Sequence, residues 1–560
     1  MDNSIISQLL DLLSQYGVKD IICSPGSRNA ALLMEADRRD DINKHVVVDE
    51  RTAAFIGLGM ALVSRNPVAL ICTSGTALLN YGPALAEAYY QGIPLIAISA
   101  DRPVRWINQD DSQTIDQQGV FSNFIKGEYD LNGSDCSEEN EWYANRIINE
   151  ALTKAMQPKC GPVHLNIHLE GITDFDVKQH DAVRKIDVVK PPQRLETQTI
   201  NSLAETAAES RIMIVAGFMQ PDNKLQKAML SMNELPNVCI MAETVSNLHL
   251  PQECFMVDTV LFPLTEDKAK ALQPDLIISL GGALISRKLK EFLRNCKGAR
   301  NWDVGYSDNI VDCFQSLTLR IECEPASFMN SLAKRIKRRK KDRKISSYSF
   351  QEQWNELRRS RRIDFRKLKW SDLKALQILL NALPRSANLF LSNGTSVRYG
   401  QIIPYPLSHS TYSNRGVSGI EGSTSTAIGG ALIYDKITCL ITGDMSFGYD
   451  IGGLASEMAP ANLRIVVLDN GGGDIFRFIN ATKNLDIRER YLSAERELPV
   501  GQLAEGFGFD YYFAESEKEL KEMLEDFFEG SLLPKILHVS TKNGTGNSEI
   551  LTDYLTNKTK

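Results

Sequence analysis

The feature that most constrains this chain is a rhythm: short runs of branched apolar residues, each followed by a stretch of helical periodicity, in three successive blocks. The first block carries DIICSPG (20–26), HVVVDE (45–50), VALICTSG (68–75), PLIAISAD (94–101) and GPVHLNIH (161–168). The second carries RIMIVAGF, VCIMAET, LIISLGG and TLRIECEP; the third carries NLFLSNG, ITCLITGD, RIVVLDN and KILHVST. Continuous runs of this kind read as strands buried on both faces, and the helices between them supply the crossovers that parallel strands need. The expected fold class is α/β, with three doubly wound parallel-sheet domains. A chain of 560 residues is too long for one core and has room for all three. Paired prolines in VKPPQRLETQ (189–198) mark the first junction, and the second passes through KRIKRRKKDRK (334–344). Domains are expected over 1–188, 189–345 and 346–560.

A net charge of −7 argues against general nucleic-acid binding, so an anionic ligand has to be met by locally gathered Arg and Lys. The 334–344 stretch is basic at nine of eleven positions, but no aromatic residues interleave, and a solvated helix end leading into a linker is the preferred reading. No apolar run approaches the ~20 residues of a membrane span. The opening MDNSIISQLLDLLSQYG lacks the pattern of a secretory signal, and its apolar residues recur at helical spacing, so a cytoplasmic protein with a core-packed first helix is expected. Ten scattered cysteines without a CxxC pair read as buried free thiols. His164 and His168 sit on one strand with no acidic partner nearby in sequence, which disfavours a metal site.

The chemistry gathers at strand ends, where α/β folds keep their ligand sites. In ITGDMSFGYDIGGLASEMAPANLRIVVLDNGGGDIF (441–476), one strand ends in Gly443-Asp444 and the next, 26 residues on, presents Asn470 followed by three glycines. An acid oxygen, an amide oxygen and closely approaching backbone carbonyls suit a hard cation such as Mg²⁺, whose shell is commonly completed by phosphate oxygens and water. In KHVVVDERTAAFIGLGMA, three valines read as a buried parallel strand leading into Asp49-Glu50-Arg51. Glu50 is either an acid favoured by a helix N-terminus or a functional carboxylate.

The 441–476 segment resembles the metal-diphosphate motif of thiamine diphosphate enzymes, with Asp444, Asn470 and the Gly472 carbonyl in the ligand positions for Mg²⁺ or Mn²⁺. That resemblance gives Glu50 its role: a glutamate at this place hydrogen-bonds the cofactor's pyrimidine ring and drives the shift to the imino tautomer. Enclosure would raise its pKa above the ~4.3 of a free glutamate. Four further stretches, SPGSRNAAL (24–32), TSGTALLNYGPALAEA (73–88), SADRP with QTIDQ (99–117) and SNRGVSGIEGSTSTAIG (413–429), are similar in order and content to the 2-succinyl-5-enolpyruvyl-6-hydroxy-3-cyclohexene-1-carboxylate synthases of menaquinone biosynthesis.

This resemblance implies decarboxylation of 2-oxoglutarate on thiamine diphosphate and 1,4-addition of the resulting succinyl-semialdehyde carbanion to isochorismate. Both substrates are dicarboxylates, for which guanidinium groups are the best partners. It puts Arg28, Arg398 and Arg415 at carboxylate-binding positions, with Ser27 beside Arg28, and makes Gln113 the glutamine near the reacting centre and Gln117 a weaker candidate. Ile420 falls where a bulky residue bends the cofactor, and Ile475, Phe476 and Ile479 match apolar positions over cofactor and substrate. Arg102 is open between an anion contact and a structural ion pair. The Thr73-Ser74-Gly75-Thr76 turn could bind an anion or, as the resemblance implies, pack around the pyrimidine.

Three departures from the family pattern stand out. Arg287-Lys288 replaces Lys-Arg, leaving open which cation reaches isochorismate; Asn393-Gly394 replaces Asn-Ser; and Asp469-Asn470-Gly471 replaces three asparagines. Two rivals remain: another thiamine diphosphate 2-oxoacid decarboxylase or carboligase, and a non-catalytic anion-binding regulator on the same fold. The family also implies a homodimer or a dimer of dimers.

Overall fold

The computed structural model describes residues 4–135, 137–170, 183–189, 195–340, 349–361, 363–404, 410–478, 481–542 and 544. Its first sheet holds β1 (Asp20–Cys23), β2 (Asn43–Val46), β3 (Val68–Cys72), β4 (Leu95–Asp101), β5 (Glu128–Asn132) and β6 (Val163–His168) in the order β2-β1-β3-β4-β6-β5. The central sheet holds β7 (Ile212–Ala216), β8 (Val238–Ala242), β9 (Leu276–Leu280), β10 (Arg300–Val304) and β11 (Leu317–Ile321) in the order β11-β10-β9-β7-β8. The third holds β12 (Asn388–Leu391), β13 (Ser410–Tyr412), β14 (Thr438–Gly443), β15 (Leu463–Asp469), β16 (Asp510–Ala514) and β17 (Lys535–Ser540) in the order β13-β12-β14-β15-β17-β16. Every pairing is parallel. The α/β reading with three parallel sheets is therefore correct.

The first and third sheets have the same order of strands. In each, the chain reverses direction beside the first strand, so the crevices lie at the carboxyl ends of β1 and β3 and of β12 and β14. The central sheet has its own reversal between β7 and β9, but there the backbones close up. A methyl on Gly217 would lie 2.3 Å from the Gly282 carbonyl oxygen, which leaves no crevice.

One strand departs from expectation. The three valines after His45 do not form a buried strand: β2 ends at Val46 on the sheet edge, and only Val47 is buried, with Val46 65% and Val48 74% exposed. An edge strand has a neighbour on one side only, so alternate side chains keep their access to solvent.

Packing ties the domains together. The first helix, Ser4–Gln15, buries Ile5, Ile6, Leu9, Leu10, Leu12 and Leu13 as its spacing implies. Apolar residues cover both faces of the central sheet, and helix Phe350–Ser360 contributes Phe350 and Trp354 to one of those layers. A single cluster runs from Ile56 and Leu58 of the first domain to Ile428 and Leu440 of the third. At its centre helix Glu50–Ser64 crosses helix Ser423–Ile433, and two glycines allow the contact. A methyl on Gly59 would lie 1.9 Å from the Thr426 carbonyl oxygen, and one on Gly429 would lie 2.0 Å from that of Ile56.

The basic stretch continues helix Pro325–Lys340, where Lys337 pairs with Glu234 at 2.5 Å and Arg339 with Glu205 at 2.5 Å; positions 341–344 lie outside the described residues. No helix among the described residues is long and apolar enough to cross a membrane. Seven cysteines are buried free thiols, whereas Cys313 is exposed, and Cys136 lies outside the described residues.

Candidate active site

The first crevice opens between the ends of β1 and β3. Gly26 allows them to converge, since a Cβ there would come within 2.3 Å of Thr73 Cβ. A cavity of about 430 Å³ follows, lined by Gly26, Glu50, Thr73, Gly75, Asn80 and Gln113 among others, all of the first domain. Asp49 caps helix Glu50–Ser64 through the Arg51 and Thr52 amides at 2.9 and 3.3 Å. Glu50 is thus left to face the cavity, where its Oε2 accepts a hydrogen bond from Asn80 Nδ2 at 3.2 Å. Gln113 has a left-handed backbone, with φ of 52°, and its carbonyl accepts the Ser74 hydroxyl at 2.9 Å.

Gln117 is buried beneath the turn rather than in the cavity. Its Oε1 accepts the Gly75 amide at 2.8 Å, and its Nε2 donates to Asn166 Oδ1 at 2.7 Å. The same layer gives the two histidines their partners. His164 lies 2.8 Å from Glu128 and 2.7 Å from the Ser99 hydroxyl, and His168 lies 3.2 Å from Asp130. Their acidic partners come from the adjacent β5, too far along the chain to be seen locally.

The second crevice opens between the ends of β12 and β14. Asp444 follows β14 and Asn470 follows β15; Oδ2 of Asp444 and Oδ1 of Asn470 are both buried and have no hydrogen-bond partner among the described residues. Burial, followed by the neighbouring Asp469, pushes the Asp444 carboxyl up to about 7. Gly472 has φ of 143°, and its carbonyl accepts the Asp474 amide at 3.0 Å, leaving one lone pair. A buried acid with one oxygen unpartnered, an orphaned amide oxygen and a backbone carbonyl are donors of the kind a hard divalent cation takes. The residues present therefore fit Mg²⁺ or Mn²⁺. Ile420 is tied to this crevice through its carbonyl, which accepts the Ser446 hydroxyl at 2.6 Å. Ile475 and Phe476 begin the short helix after the glycines, and Ile479 lies outside the described residues.

The arginines divide into two groups. Arg28 and Arg102 lie close together in the first domain, where burial and then Arg102 hold the Arg28 guanidinium below its usual pKa. Arg28 donates to the Leu169 carbonyl at 3.1 Å, and Arg102 forms an ion pair with Asp111 at 3.1 Å; Ser27 beside them is exposed. Arg287, Arg398 and Arg415 meet at the junction of the central and third domains. Arg398 is pushed down to about 10 by burial, then by Arg415 and Arg287. Arg415 donates to Asn393 Oδ1 at 2.9 Å. Arg287 is exposed, while Lys288 turns to Glu291 at 2.9 Å and to the Phe262 ring.

Two buried glutamates missed by sequence reading hold this junction. Glu87 accepts the Gly416 amide at 2.5 Å and the Val417 amide at 2.7 Å, fixing the loop after Arg415. Glu243 accepts the Ile285 and Ser286 amides at 2.7 Å each, just before Arg287, and burial pushes its carboxyl up to about 7. Asp372 is a third such residue: its carboxylate accepts from the Asn470 amide nitrogen. The partners are separated by 329, 43 and 98 positions, so no local spacing could have paired them.

Comparison with known proteins agrees with this geometry. Residues 4–120 match the N-terminal TPP binding domain of thiamine pyrophosphate enzymes, 189–391 the middle domain of thiamine pyrophosphate, and 394–539 the C-terminal TPP binding domain. A Porphyromonas gingivalis protein named 2-succinyl-5-enolpyruvyl-6-hydroxy-3-cyclohexene-1-carboxylate synthase is 38% identical, covering 99% of this chain and 97% of its own. Proteins of the same name from Christiangramia forsetii and Flavobacterium johnsoniae are 36% and 34% identical, covering 96% and 98% of this chain and the same shares of their own. The chain belongs to the 2-succinyl-5-enolpyruvyl-6-hydroxy-3-cyclohexene-1-carboxylate synthase family of thiamine diphosphate enzymes.

Proposed function

We propose that the chain decarboxylates 2-oxoglutarate and joins the remaining four-carbon unit by 1,4-addition to isochorismate, giving 2-succinyl-5-enolpyruvyl-6-hydroxy-3-cyclohexene-1-carboxylate and CO₂ in menaquinone biosynthesis. The observation that carries this reading is the trio Arg287, Arg398 and Arg415, three like charges brought together at a domain junction with two partly desolvated. A dicarboxylate is the ligand that relieves such an arrangement.

Thiamine diphosphate supplies the electron sink for both carbon–carbon steps when it is bound. Asp444, Asn470 and the Gly472 carbonyl would hold Mg²⁺ or Mn²⁺ against its diphosphate, and Ile420, Ile475 and Phe476 would shape its pocket. Glu50 would share a proton with the pyrimidine ring nitrogen. Gln113, at the mouth of the same cavity, would orient substrate, and Ser27, Arg28 and Arg102 would contact a substrate carboxylate from the first domain. Ile479 would add an apolar contact, and Lys288 a second cation beside Arg287.

The active unit is a homodimer, alone or as a dimer of dimers. Support comes from the Glu50 cavity, whose walls are all first-domain residues, whereas the metal-type oxygens belong to the third domain. Exposed Val46, Val48, Leu79 and Tyr449 lie around the start of the helix bearing Glu50 and suit coverage by a second copy. The domain limits at 188 and 345 belong to the same reading. The buried thiols suit a reducing compartment, and the protein is taken to act in the cytoplasm.

The test is loss of isochorismate absorbance with 2-oxoglutarate, thiamine diphosphate and Mg²⁺, with pyruvate replacing 2-oxoglutarate in parallel. Consumption is expected only with 2-oxoglutarate; equal consumption with pyruvate would favour a general 2-oxoacid carboligase.

A further inference from the structure

We propose that Asp372 is a positioning residue that turns the Asn470 side chain so that its oxygen, rather than its nitrogen, faces the cation; the proposal rests on the cofactor reading above. An asparagine binds a hard cation only through Oδ1. The two ends of the amide have nearly the same shape, so something outside it has to select the orientation. Here Nδ2 of Asn470 donates to Asp372 Oδ2 at 2.6 Å, and Oδ1 is left buried without a partner among the described residues. A carboxylate can only accept, so the opposite orientation would set two acceptor oxygens against each other in a buried site.

Asp372 is itself held in place. Its Oδ1 accepts the Thr541 hydroxyl, and the Thr541 amide donates to the Asp469 carbonyl at 2.8 Å. The residue opens helix Asp372–Ala382, whose cap Ser371 accepts the Lys374 amide at 3.3 Å. The orientation of a ligand following β15 is thus set by a helix start and by the residue following β17. Partners of metal ligands typically contribute about 10- to 100-fold in metal affinity.

The experiment titrates the full-length, cofactor-free protein with Mg²⁺ or Mn²⁺ at fixed thiamine diphosphate, by calorimetry, alongside its melting temperature. Asp372→Ala is expected to weaken Mg²⁺ and Mn²⁺ alike by about 10- to 100-fold, because the amide nitrogen offers a cation no lone pair and only Oδ1 can bind either metal. Asp372→Asn should stay close to wild type: its carbonyl can still accept from Asn470 while its NH₂ donates to the Thr541 hydroxyl oxygen. Thr541→Val, which removes the hydrogen bond that Asp372 accepts from the Thr541 hydroxyl, controls for packing, and Asp372→Ser serves if the alanine variant does not fold.

Unchanged Mg²⁺ affinity in the shortened variants would overturn the proposal. So would an equal loss in Asp372→Asn, or losses of metal affinity that merely track the melting temperature. Absence of Mg²⁺-dependent thiamine diphosphate binding in the wild type would instead overturn the cofactor reading, and this proposal with it.

Discussion

Glu50 and Asp49 divide two tasks that a single acid at a helix start would have to combine. Asp49 satisfies the first amides of the helix, so replacing its neighbour leaves the cap intact. Glu50→Gln is nearly isosteric and can still accept from Asn80 through its amide oxygen. It is therefore expected to fold and to bind Mg²⁺ and thiamine diphosphate as wild type does, while turnover falls by roughly 10²- to 10⁴-fold through loss of the shared proton. Isochorismate consumption, set beside calorimetric cofactor binding, separates the two effects, and normal turnover would remove Glu50 from the mechanism. Glu50, Asp444 and Asn470 are legible in the sequence because each follows a strand within a recognisable local pattern. Asp372, Glu87 and Glu243 are not, since each acts on backbone or amide groups that only the folded chain brings near.

The helices and strands vary in legibility for a comparable reason. Strands buried on both faces, such as β3, β4 and β15, announce themselves as unbroken apolar runs. The edge strands β5 and β16 escape notice because their partly exposed positions admit polar residues, β13 because it is only three residues long, and the valines around β2 suggest more burial than an edge provides. The crossing of helices Glu50–Ser64 and Ser423–Ile433 is a subtler case: FIGLGMA declares a helix, but why it carries glycines depends on a partner in the third domain. Gly59→Ala drives a methyl into a backbone carbonyl that cannot rotate away. It should lower stability by about 1–3 kcal/mol or more, read as a lower melting temperature. Gly506 closes helix Val500–Gly506, and a methyl added there would meet no atom within 4 Å. It is the control, and alanine at that position should leave melting unchanged or slightly higher. Equal effects at both positions would deny the close crossing its importance.

At the scale of the whole molecule, two crevices at equivalent switch points of two sheets have to serve one cofactor. On the proposed reading one would present a carboxylate to the pyrimidine and the other oxygen ligands to a cation, and the walls of the first come from its own domain alone. If each site pairs the first domain of one copy with the third domain of another, damage to the two halves can be complemented. Homodimers of Glu50→Gln lack the proton-sharing acid in both sites, and homodimers of Asp444→Ala lack a metal ligand in both. A mixed dimer concentrates both lesions in one site and leaves the other intact. Random pairing makes about half the dimers mixed, and each restores one of its two sites, so about a quarter of wild-type activity is expected to return. The measurement is isochorismate consumption after the two inactive variants are mixed, dissociated and reassociated. If both crevices of one chain instead formed a single site, every site in the mixture would carry one lesion, and activity would stay at the level of the separate variants.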